Sequence, residues 1–394
     1  MEEITIISNY YPPEKGAAAN RIEQLALKLH QNNYKVTVIC PLGNYPKGTL
    51  FSEYKGKFFV SETIHNITVK RLWIYPSVSK NVLIRIVSIL SFSTCLFFYL
   101  AFKKTTKKVV VQSPPLLLSF IAVFVLSFKK KKIILNVSDL WPLAAIELKA
   151  LKKNSFSHRF SLFLEQFIYK KSDIILGQSN EIISHIHSFF PEKKCFLYRN
   201  YPDHNNAKLD FTFNENQPVK LFYAGLFGVA QGVYDLCKNI DFNTTNIELH
   251  LFGDGAEKNQ ILQFISDEKN NKIHFHGMLD RNELHEQIQK LDVALVPLTT
   301  RIYGSVPSKI FEYASLGFPV LYFGGGEGET IVAENNLGWV ASVGNYDEIN
   351  EKIREIAALQ KINFLEKKKM ILEQSQRVFN LNKQMSSLIE NDVF

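Results

Sequence analysis

Cysteine is scarce in this sequence of 394 residues, and the four that occur are Cys40, Cys95, Cys195 and Cys237. They are far apart and form no paired spacing, which argues against a disulfide framework and against a cysteine-based zinc site. The first strand pattern is not followed by a G-x-G-x-x-G fingerprint, which argues against an NAD- or FAD-binding domain. The N-terminus, MEEITIIS, lacks the basic and apolar regions of a secretory signal. These absences predict a protein of the reducing cytoplasm, and no internal repeat or low-complexity segment is present.

Charge is distributed unevenly along the chain. Residues 1–200 contain 28 Lys+Arg and 12 Asp+Glu, whereas residues 201–394 contain 18 and 26. A basic half implies an anionic partner, either nucleic acid or a membrane surface. The lysine clusters at 103–104, 107–108 and 129–132 flank apolar segments, and no nucleic-acid-binding motif is present. We therefore expect an anionic membrane surface as the partner, and no nucleic acid.

Two long runs have no charged residue, 86–102 and 109–128. A membrane-spanning helix needs about 20 apolar residues, so the first run is marginal. In the second run, residues 112–115 (QSPP) separate a strand from a helix that is too short to span. We expect both helices to be partly buried, with excess apolar surface against a membrane and the lysines at 129–132 reaching lipid phosphates. The alternative is ordinary buried helices with solvated lysines.

The most informative stretch is SVPSKIFEYASLGFPVLYFGGGEGE, residues 305–329. Pro307 suits the first turn of a helix, whose free N–H groups favour a phosphate, and Lys309 adds a positive charge there. One turn later, Glu312 offers two acceptor oxygens for the hydroxyls of a ribose. The pattern then predicts a strand over 320–323 and a glycine-rich loop over 324–329 at its carboxyl end, where open α/β sheets bind ligands. The alternative is that Lys309 and Glu312 are solvated helix positions.

This stretch resembles the nucleotide-binding signature of family-4 glycosyltransferases of the GT-B fold, in which a Glu-x7-Glu pair flanks the donor. Glu312 corresponds to the second glutamate, and Gly304 stands in the place of the first. The residues SVPSKIFEY are similar instead to a bacterial branch that has SxPSKxxEY and includes transferases of N-acetyl-L-fucosamine and related amino sugars. The resemblance implies that Glu327 holds the sugar with Glu329, and that the donor nucleotide is bound by a set including Ser308, Lys309, Glu312, Gly326 and Glu329.

The N-terminal segment YYPPEKGAAANRIEQLALKL and the later GNYPKG resemble the opening of the same branch. By this resemblance Gly16 and Ala17 line the acceptor side of a cleft, with Glu14 and Arg21 as further contact candidates. Asn44 and Tyr45 would border the acceptor. The alternative for Arg21 is a charge on a helix surface.

Asp139 directly follows a strand pattern over 133–137, within SDLWP. A carboxylate just past a strand end lies where an α/β fold holds its chemistry. The resemblance implies that Asp139 faces the donor sugar. A helix N-cap is the alternative use of this aspartate, and the two roles are compatible.

The second half begins with the strand LFYAG and a loop containing GVAQGV. Its glycines allow the backbone to wrap around a diphosphate. The resemblance assigns Gly225, Gln231, Gly232, Gly253 and Leu279 to the donor nucleotide, with Gln231 where most family-4 enzymes have a lysine. Lys309 and helix N-termini would then neutralise more of the diphosphate.

His274 and His276 alternate on one strand pattern, IHFHG, and point the same way. A third ligand is not evident in the sequence, and strand histidines are more often structural, so no metal site is assigned.

Taken over nearly the whole chain, the resemblance implies an α/β protein with two Rossmann-like, doubly wound domains facing across a cleft. Residues 1–203 and a returning C-terminal helix at 378–394 would form the acceptor and membrane side, and residues 204–377 the nucleotide-sugar domain.

The implied activity is a retaining, metal-independent transfer of a sugar, such as an N-acetylamino sugar from a UDP donor, to a lipid-linked acceptor in surface polysaccharide (O-antigen or capsule) biosynthesis. Catalysis would involve Asp139, Glu327 and Lys309, and no cofactor is expected. The protein would lie at the inner face of the cytoplasmic membrane. The alternative function is an inactive GT-B protein that binds a nucleotide sugar or a partner transferase, because Gly304 replaces a glutamate.

Overall fold

The structure is a computed structural model that describes residues 1–79, 81–203 and 217–394. It divides into two compact units. Unit 1 comprises Met1–Asn200, Tyr303–Ser305 and Asn382–Phe394, and unit 2 comprises Tyr201–Ile302 and Val306–Leu381. The domain boundary predicted from the sequence lies after Asp203, three residues beyond Asn200. Each unit is built on a largely parallel sheet with connecting helices, which confirms the predicted class of two Rossmann-like α/β domains.

Unit 1 contains the elements β1 (Glu2–Ile7), α1 (Ala17–Gln31), β2 (Tyr34–Pro41), β3 (Phe59–Ile64), β4 (Ile67–Leu72), α2 (Val82–Phe102), β5 (Lys108–Ser113), α3 (Leu116–Phe128), β6 (Lys132–Val137), α4 (Leu143–Glu147), α5 (Phe156–Lys171), β7 (Ile174–Gly177), α6 (Asn180–Phe189) and β8 (Cys195–Leu197). The strand order is β3-β4-β2-β1-β5-β6-β7-β8, with only β3 antiparallel to its neighbour. Strands β5 and β6 are buried runs of branched apolar residues, as expected when helices cover both faces of a parallel sheet. Their register aligns Ser113, Val137 and Gly177 at the carboxyl edge.

Unit 2 contains β9 (Val219–Leu226), α7 (Val233–Asn239), β10 (Ile247–Asp254), α8 (Lys258–Asp267), β11 (Ile273–Gly277), α9 (Arg281–Ile288), β12 (Val293–Pro297), α10 (Ser308–Ser315), β13 (Val320–Phe323), α11 (Glu327–Glu334), β14 (Gly338–Ala341), α12 (Tyr346–Ala357) and α13 (Lys361–Val378), and α14 (Leu381–Glu390) leads back into unit 1. All six strands are parallel, in the order β11-β10-β9-β12-β13-β14. Strands β9 and β10 pair along their whole length, so Gly225 and Gly253 lie opposite each other at the carboxyl edge.

The last residues of the chain are anchored in unit 1. The carbonyl of Phe394 accepts hydrogen bonds from Lys108 (2.6 Å) and from the Tyr34 hydroxyl (3.3 Å). Lys132 donates to the Asp392 carbonyl at 2.7 Å. The chain end is thus tied to strands β2, β5 and β6.

Helix α2 has one face in the core of unit 1 and one face exposed. Phe92, Leu96 and Leu100 are fully buried in that core. By length and composition, the span Leu83–Phe102 is the one helix in the described ranges that is apolar enough to cross a membrane, and 28% of its apolar window is buried.

Three of the four lysines after α3 make contacts within the protein. Lys129 donates to the carbonyls of Leu100 and of Ala101 (2.9 Å), which lie in the last turn of α2. Lys131 and Lys132 also donate to main-chain carbonyls, whereas Lys130 is exposed. A lysine near a helix C-terminus satisfies carbonyls that the helix itself leaves unpaired, and that use competes with lipid contact.

Candidate functional site

Lys309 is half-buried in the first turn of α10. Its Nζ donates a hydrogen bond to the carbonyl of Ala224 at the end of β9 and lies 5.6 Å from the ring centre of Tyr313. Burial lowers the pKa of this ammonium, and the negative charge of Glu312 opposes that shift. A Cβ atom on Gly225 would lie 2.9 Å from Lys309 Cε, so glycine at this position leaves room for the lysine. A desolvated ammonium gains from an anion placed beside it.

A cavity of about 340 Å³ lies next to Lys309, at the carboxyl ends of β9, β10 and β11. It is lined by Ala224, Gly225, Leu226, Phe252, Gly253, Asp254, Met278, Leu279, Leu284 and Lys309. Four residues predicted for the donor nucleotide are thus brought together: Gly225, Gly253, Leu279 and Lys309. The volume lies near the lower end of the range for small-molecule sites, about 300 to 1,000 Å³. A lining that combines apolar side chains with an ammonium suits a ligand with an aromatic ring and an anionic group.

Glu312 lies one turn after Lys309 on the same face of α10. It also acts on His285 of α9: burial and Arg281 lower the pKa of His285, and the Glu312 carboxylate opposes the shift. Helix α9 begins with a capping box formed by Asp280 and Glu283, directly after Leu279. The sequence prediction omitted His285, which carries no motif that would have indicated it.

The loop after β9 has a shape that requires glycine at position 232. Gly232 has a left-handed backbone (φ 59°), and a Cβ there would lie 1.9 Å from Thr299 Cγ2. A Cβ on Gly228 would lie 2.6 Å from the side-chain oxygen of Gln231, which folds back over it. The predicted donor residues Gln231 and Gly232 are therefore in a constrained loop, but they do not line the cavity beside Lys309.

The predicted loop over 324–329 is wrong at its second half, because α11 begins at Glu327. Glu327 and Glu329 lie in the first turn of that helix, where carboxylates are stabilised by the helix dipole. Gly326 has a left-handed backbone (φ 69°), and Arg301 Nε lies 3.0 Å from where its Cβ would be. These predicted site residues do not line the cavity either, and neither Ser308 nor Glu312 does.

Arg301 is a cation beside this glycine turn that the sequence analysis missed. It follows the carboxyl end of β12 by four residues, and its side chain approaches Gly326 and Gly325. The available signal was its place after a strand end, which is where ligands bind in such sheets.

In unit 1, Arg21 is buried. The alternative prediction, that Arg21 is a charge on a helix surface, is therefore wrong. Its guanidinium donates to Gln178 Oε1, to Asn136 Oδ1 (2.9 Å) and to the Tyr198 carbonyl (3.3 Å). Asn136 and Gln178 come from the ends of two neighbouring strands and were not predicted. Arg21 therefore ties helix α1 to the carboxyl edge of the sheet.

Asp139 lies at the same edge, two residues past β6. Burial raises the pKa of its carboxyl, while the positive charge of Arg21 and a hydrogen bond from Ser138 (3.4 Å) oppose that shift. The alternative role as a helix N-cap is wrong, because α4 starts after Pro142, which occupies the cap position. The structure thus brings together Asp139 and Arg21, two residues predicted for the site.

Glu14 is buried and holds the loop that contains Asn44 and Tyr45. Its Oε1 accepts from the main-chain N–H groups of Asn44 (2.9 Å) and Tyr45 (3.0 Å). Within the described ranges its Oε2 is buried without a hydrogen-bond partner. Burial raises the pKa of Glu14 against the effect of those N–H groups. Gly16 and Ala17 are exposed, and a Cβ on Gly16 would contact the Tyr45 ring at 3.6 Å.

Gly304, which stands where a glutamate was expected, is part of unit 1. Its N–H donates to Glu181 at 2.7 Å, and its carbonyl accepts from the Ser179 hydroxyl at 2.8 Å. A Cβ on this left-handed glycine (φ 86°) would lie 3.0 to 3.2 Å from Ile182 and Leu140. A glutamate at this position would have a strained backbone and would crowd these two side chains.

Residues 204–377 match the family model of glycosyl transferases group 1. The chain is 24% identical over 363 residues to Probable glycosyltransferase WbjE of Pseudomonas aeruginosa. The alignment covers 86% of this chain and 85% of the relative.

Similar solved structures include WaaG, a glycosyltransferase involved in lipopolysaccharide biosynthesis (TM-score 0.67, 12% identity, 98% of this chain and 99% of the other). Another is HepE (Alr3699) of Anabaena in complex with UDP (TM-score 0.64, 13% identity, 99% of this chain and 100% of the other). These structures share the GT-B fold with this chain. Residues 204–377 are thus similar to group 1 glycosyl transferases, and the chain as a whole is similar in fold to these solved glycosyltransferases.

Proposed function

We propose that this protein is a retaining glycosyltransferase that moves a sugar, such as an N-acetylamino sugar, from a UDP donor to a lipid-linked glycan acceptor in surface polysaccharide biosynthesis. The observation that carries the proposal is the cavity at the carboxyl edge of unit 2, which is lined by Lys309 and by apolar residues. The family match over 204–377, the UDP bound to HepE and the lipopolysaccharide role of WaaG support it.

The donor would bind with its base against Met278, Leu279 and Leu284 and its diphosphate near Lys309 and the glycines of β9 and β10. Glu312 would accept hydrogen bonds from the ribose hydroxyls. The leaving diphosphate gains charge in the transition state, and fixed N–H groups and cations stabilise that charge most strongly. Arg301 is a second cation at the glycine turn before α11, which matters because Gln231 brings no charge.

In unit 1, Asp139 would face the sugar, with Arg21 and Asn136 positioning the segment that presents it. Glu14 would fix the loop at Asn44 and Tyr45 on the acceptor side. Transfer with retention would proceed by attack on the face from which the diphosphate leaves, without a dedicated base and without a metal ion.

The test is release of nucleotide from a panel of sugar nucleotides by the purified protein. We expect UDP release from a UDP-linked amino sugar to rise when a lipid-diphosphate sugar acceptor is added. A Glu312→Gln variant should bind UDP more weakly, because an amide cannot accept from both ribose hydroxyls. UDP binding equal in the parent and in Glu312→Gln would contradict the donor assignment.

We also propose that unit 1 lies against an anionic membrane at the cytoplasmic face. The exposed side of α2 carries Leu83, Ile84, Ile86, Val87, Leu90, Phe97, Phe98 and Phe102. Exposed lysines follow it at Lys103 and Lys104. An exposed apolar helix face bordered by cations fits the interface of a bilayer with acidic lipids.

Replacing Lys103 and Lys104 with serine is expected to weaken binding to vesicles with anionic lipid. Each lysine near such a surface contributes about 1 kcal/mol, so the pair should change partitioning by roughly thirtyfold at low salt. Co-sedimentation across a salt series measures this, since salt screens the attraction. The matched control replaces Lys269 and Lys290, two exposed lysines of unit 2, and should leave binding unchanged. Equal binding of both double variants and the parent would contradict the proposal.

A further inference from the structure

Four side chains that can ligate a metal lie together on strands β10 and β11: Glu248 and His250 from one strand, His274 and His276 from the other. Residues two apart on a strand point to the same face, and the register places His250 opposite His274. The intervening residues Leu249 and Leu251 are buried in the core of unit 2, so the cluster occupies the opposite face of the sheet. The sequence pattern indicated the pair on β11, whereas Glu248 and His250 were not predicted.

The contacts of Glu248 with His250 and His274 are long for hydrogen bonds. Glu248 Oε2 lies 3.4 Å from His250 Nε2 and 3.7 Å from His274 Nε2, and the three ligand atoms all lie within 4.8 Å of one another. Two ligand atoms at about 2.0 to 2.1 Å from a tetrahedral zinc ion are separated by about 3.3 Å. A modest rearrangement of the side chains would therefore place one ion among the three.

His274 Nε2 is itself unsatisfied. It is buried and lacks a hydrogen-bond partner in the part of the chain that the structure describes. A buried polar atom without a partner costs free energy, and a cation bound at this nitrogen would remove that cost.

The second nitrogen of His250 is already engaged, since His250 Nδ1 and His276 Nε2 are 3.0 Å apart. With the proton of that hydrogen bond on Nδ1, Nε2 of His250 presents its lone pair towards Glu248. Metal-binding histidines commonly use their other nitrogen in this way, which fixes the ring and its tautomer. The His276 ring is held in turn by stacking on Phe252, with 4.4 Å between ring centres.

We propose that Glu248, His250 and His274 bind one divalent transition-metal ion of the zinc class, with His276 orienting His250. Two imidazoles and one carboxylate are a ligand set that zinc uses, and a fourth position remains for water. The site is separate from the residues assigned to sugar transfer, and it does not depend on that function. Phe252, which stacks on His276, also lines the cavity beside Lys309, so a bound ion would stiffen one wall of that cavity.

The test is titration of the full-length protein, first treated with a chelator, with zinc chloride in a calorimeter. We expect saturable binding of one ion per chain and a rise in melting temperature with zinc. Removing a residue that only hydrogen-bonds a metal ligand weakens metal binding by about 10- to 100-fold. His274 is a direct ligand in this proposal, so His274→Gln should weaken zinc binding by at least about tenfold.

Two further variants keep the test decisive. Glu248→Gln preserves shape and should also lose at least about tenfold in affinity, even if His274→Gln folds poorly. His65→Gln, which removes an exposed histidine beside Glu23 in unit 1, should bind zinc like the parent. Absence of saturable zinc binding by the parent, or equal affinity in the parent and in Glu248→Gln, would overturn the proposal.

Discussion

Replacing Asp139 with asparagine is expected to lower sugar transfer by about a hundredfold or more while leaving UDP affinity intact. The substitution keeps the shape of the side chain and removes its charge. If the carboxylate stabilises positive charge that develops at the sugar carbon, the loss falls on the transition state and therefore on kcat. The measurement is kcat for transfer together with the Kd for UDP.

Asp139 also has a structural role to be separated from this one, because its charge lies near the buried guanidinium of Arg21. Ser138→Ala provides the control, since it removes the hydrogen bond to Asp139 and leaves the charge in place. That variant should retain most of its turnover. A fall in melting temperature with unchanged kcat in Asp139→Asn would assign the residue to support of Arg21 and remove it from the reaction.

Replacing Lys309 with methionine is expected to weaken UDP binding by about 1.5 to 3 kcal/mol, which is roughly 10- to 150-fold in Kd. Methionine retains the apolar stem that packs near Tyr313 and loses the ammonium. The effect should be confined to the diphosphate, so the affinity for uridine should stay the same. Calorimetric titration with UDP and with uridine measures both.

Lys258→Met is the matched control for charge near the cavity. Lys258 pairs with Asp254 at 3.2 Å, and Asp254 lines the cavity, but the lysine itself does not. Loss of this lysine is expected to change UDP affinity only slightly, because exposed ion pairs contribute little. Equal Kd values for UDP in Lys309→Met and the parent would remove Lys309 from the donor site.

The sequence predicted the fold well because its signals were local. The fold was implied by a resemblance that short local motifs carry, and residues 112–115 correctly separated a strand from a helix. The start of α11 at Glu327 was missed, because three consecutive glycines favour a loop and conceal a helix that begins directly after them. The contacts of Lys129 were missed since they depend on where the end of α2 lies, which no local pattern records.

The candidate site was predictable only where a motif carried it. Lys309 and Gly225 were both predicted, but their contact depends on the distance between a helix start and a strand end. Arg301, His285 and Asn136 belong to no motif and are placed by the sheet register and by packing. For the same reason, Arg21 could not be distinguished from a surface charge, because its partners are 115 and 157 residues away in the chain.

The measurement that tests the central claim most directly is the mass of the acceptor after incubation with a UDP-linked amino sugar. The proposed function predicts that the lipid-linked acceptor gains the mass of one sugar and that an equal amount of UDP is released. It also predicts that Asp139→Asn binds UDP yet produces little product. Tight UDP binding with an unchanged acceptor mass, across the donor panel, would contradict the claim and favour a GT-B protein that binds a nucleotide without transferring a sugar.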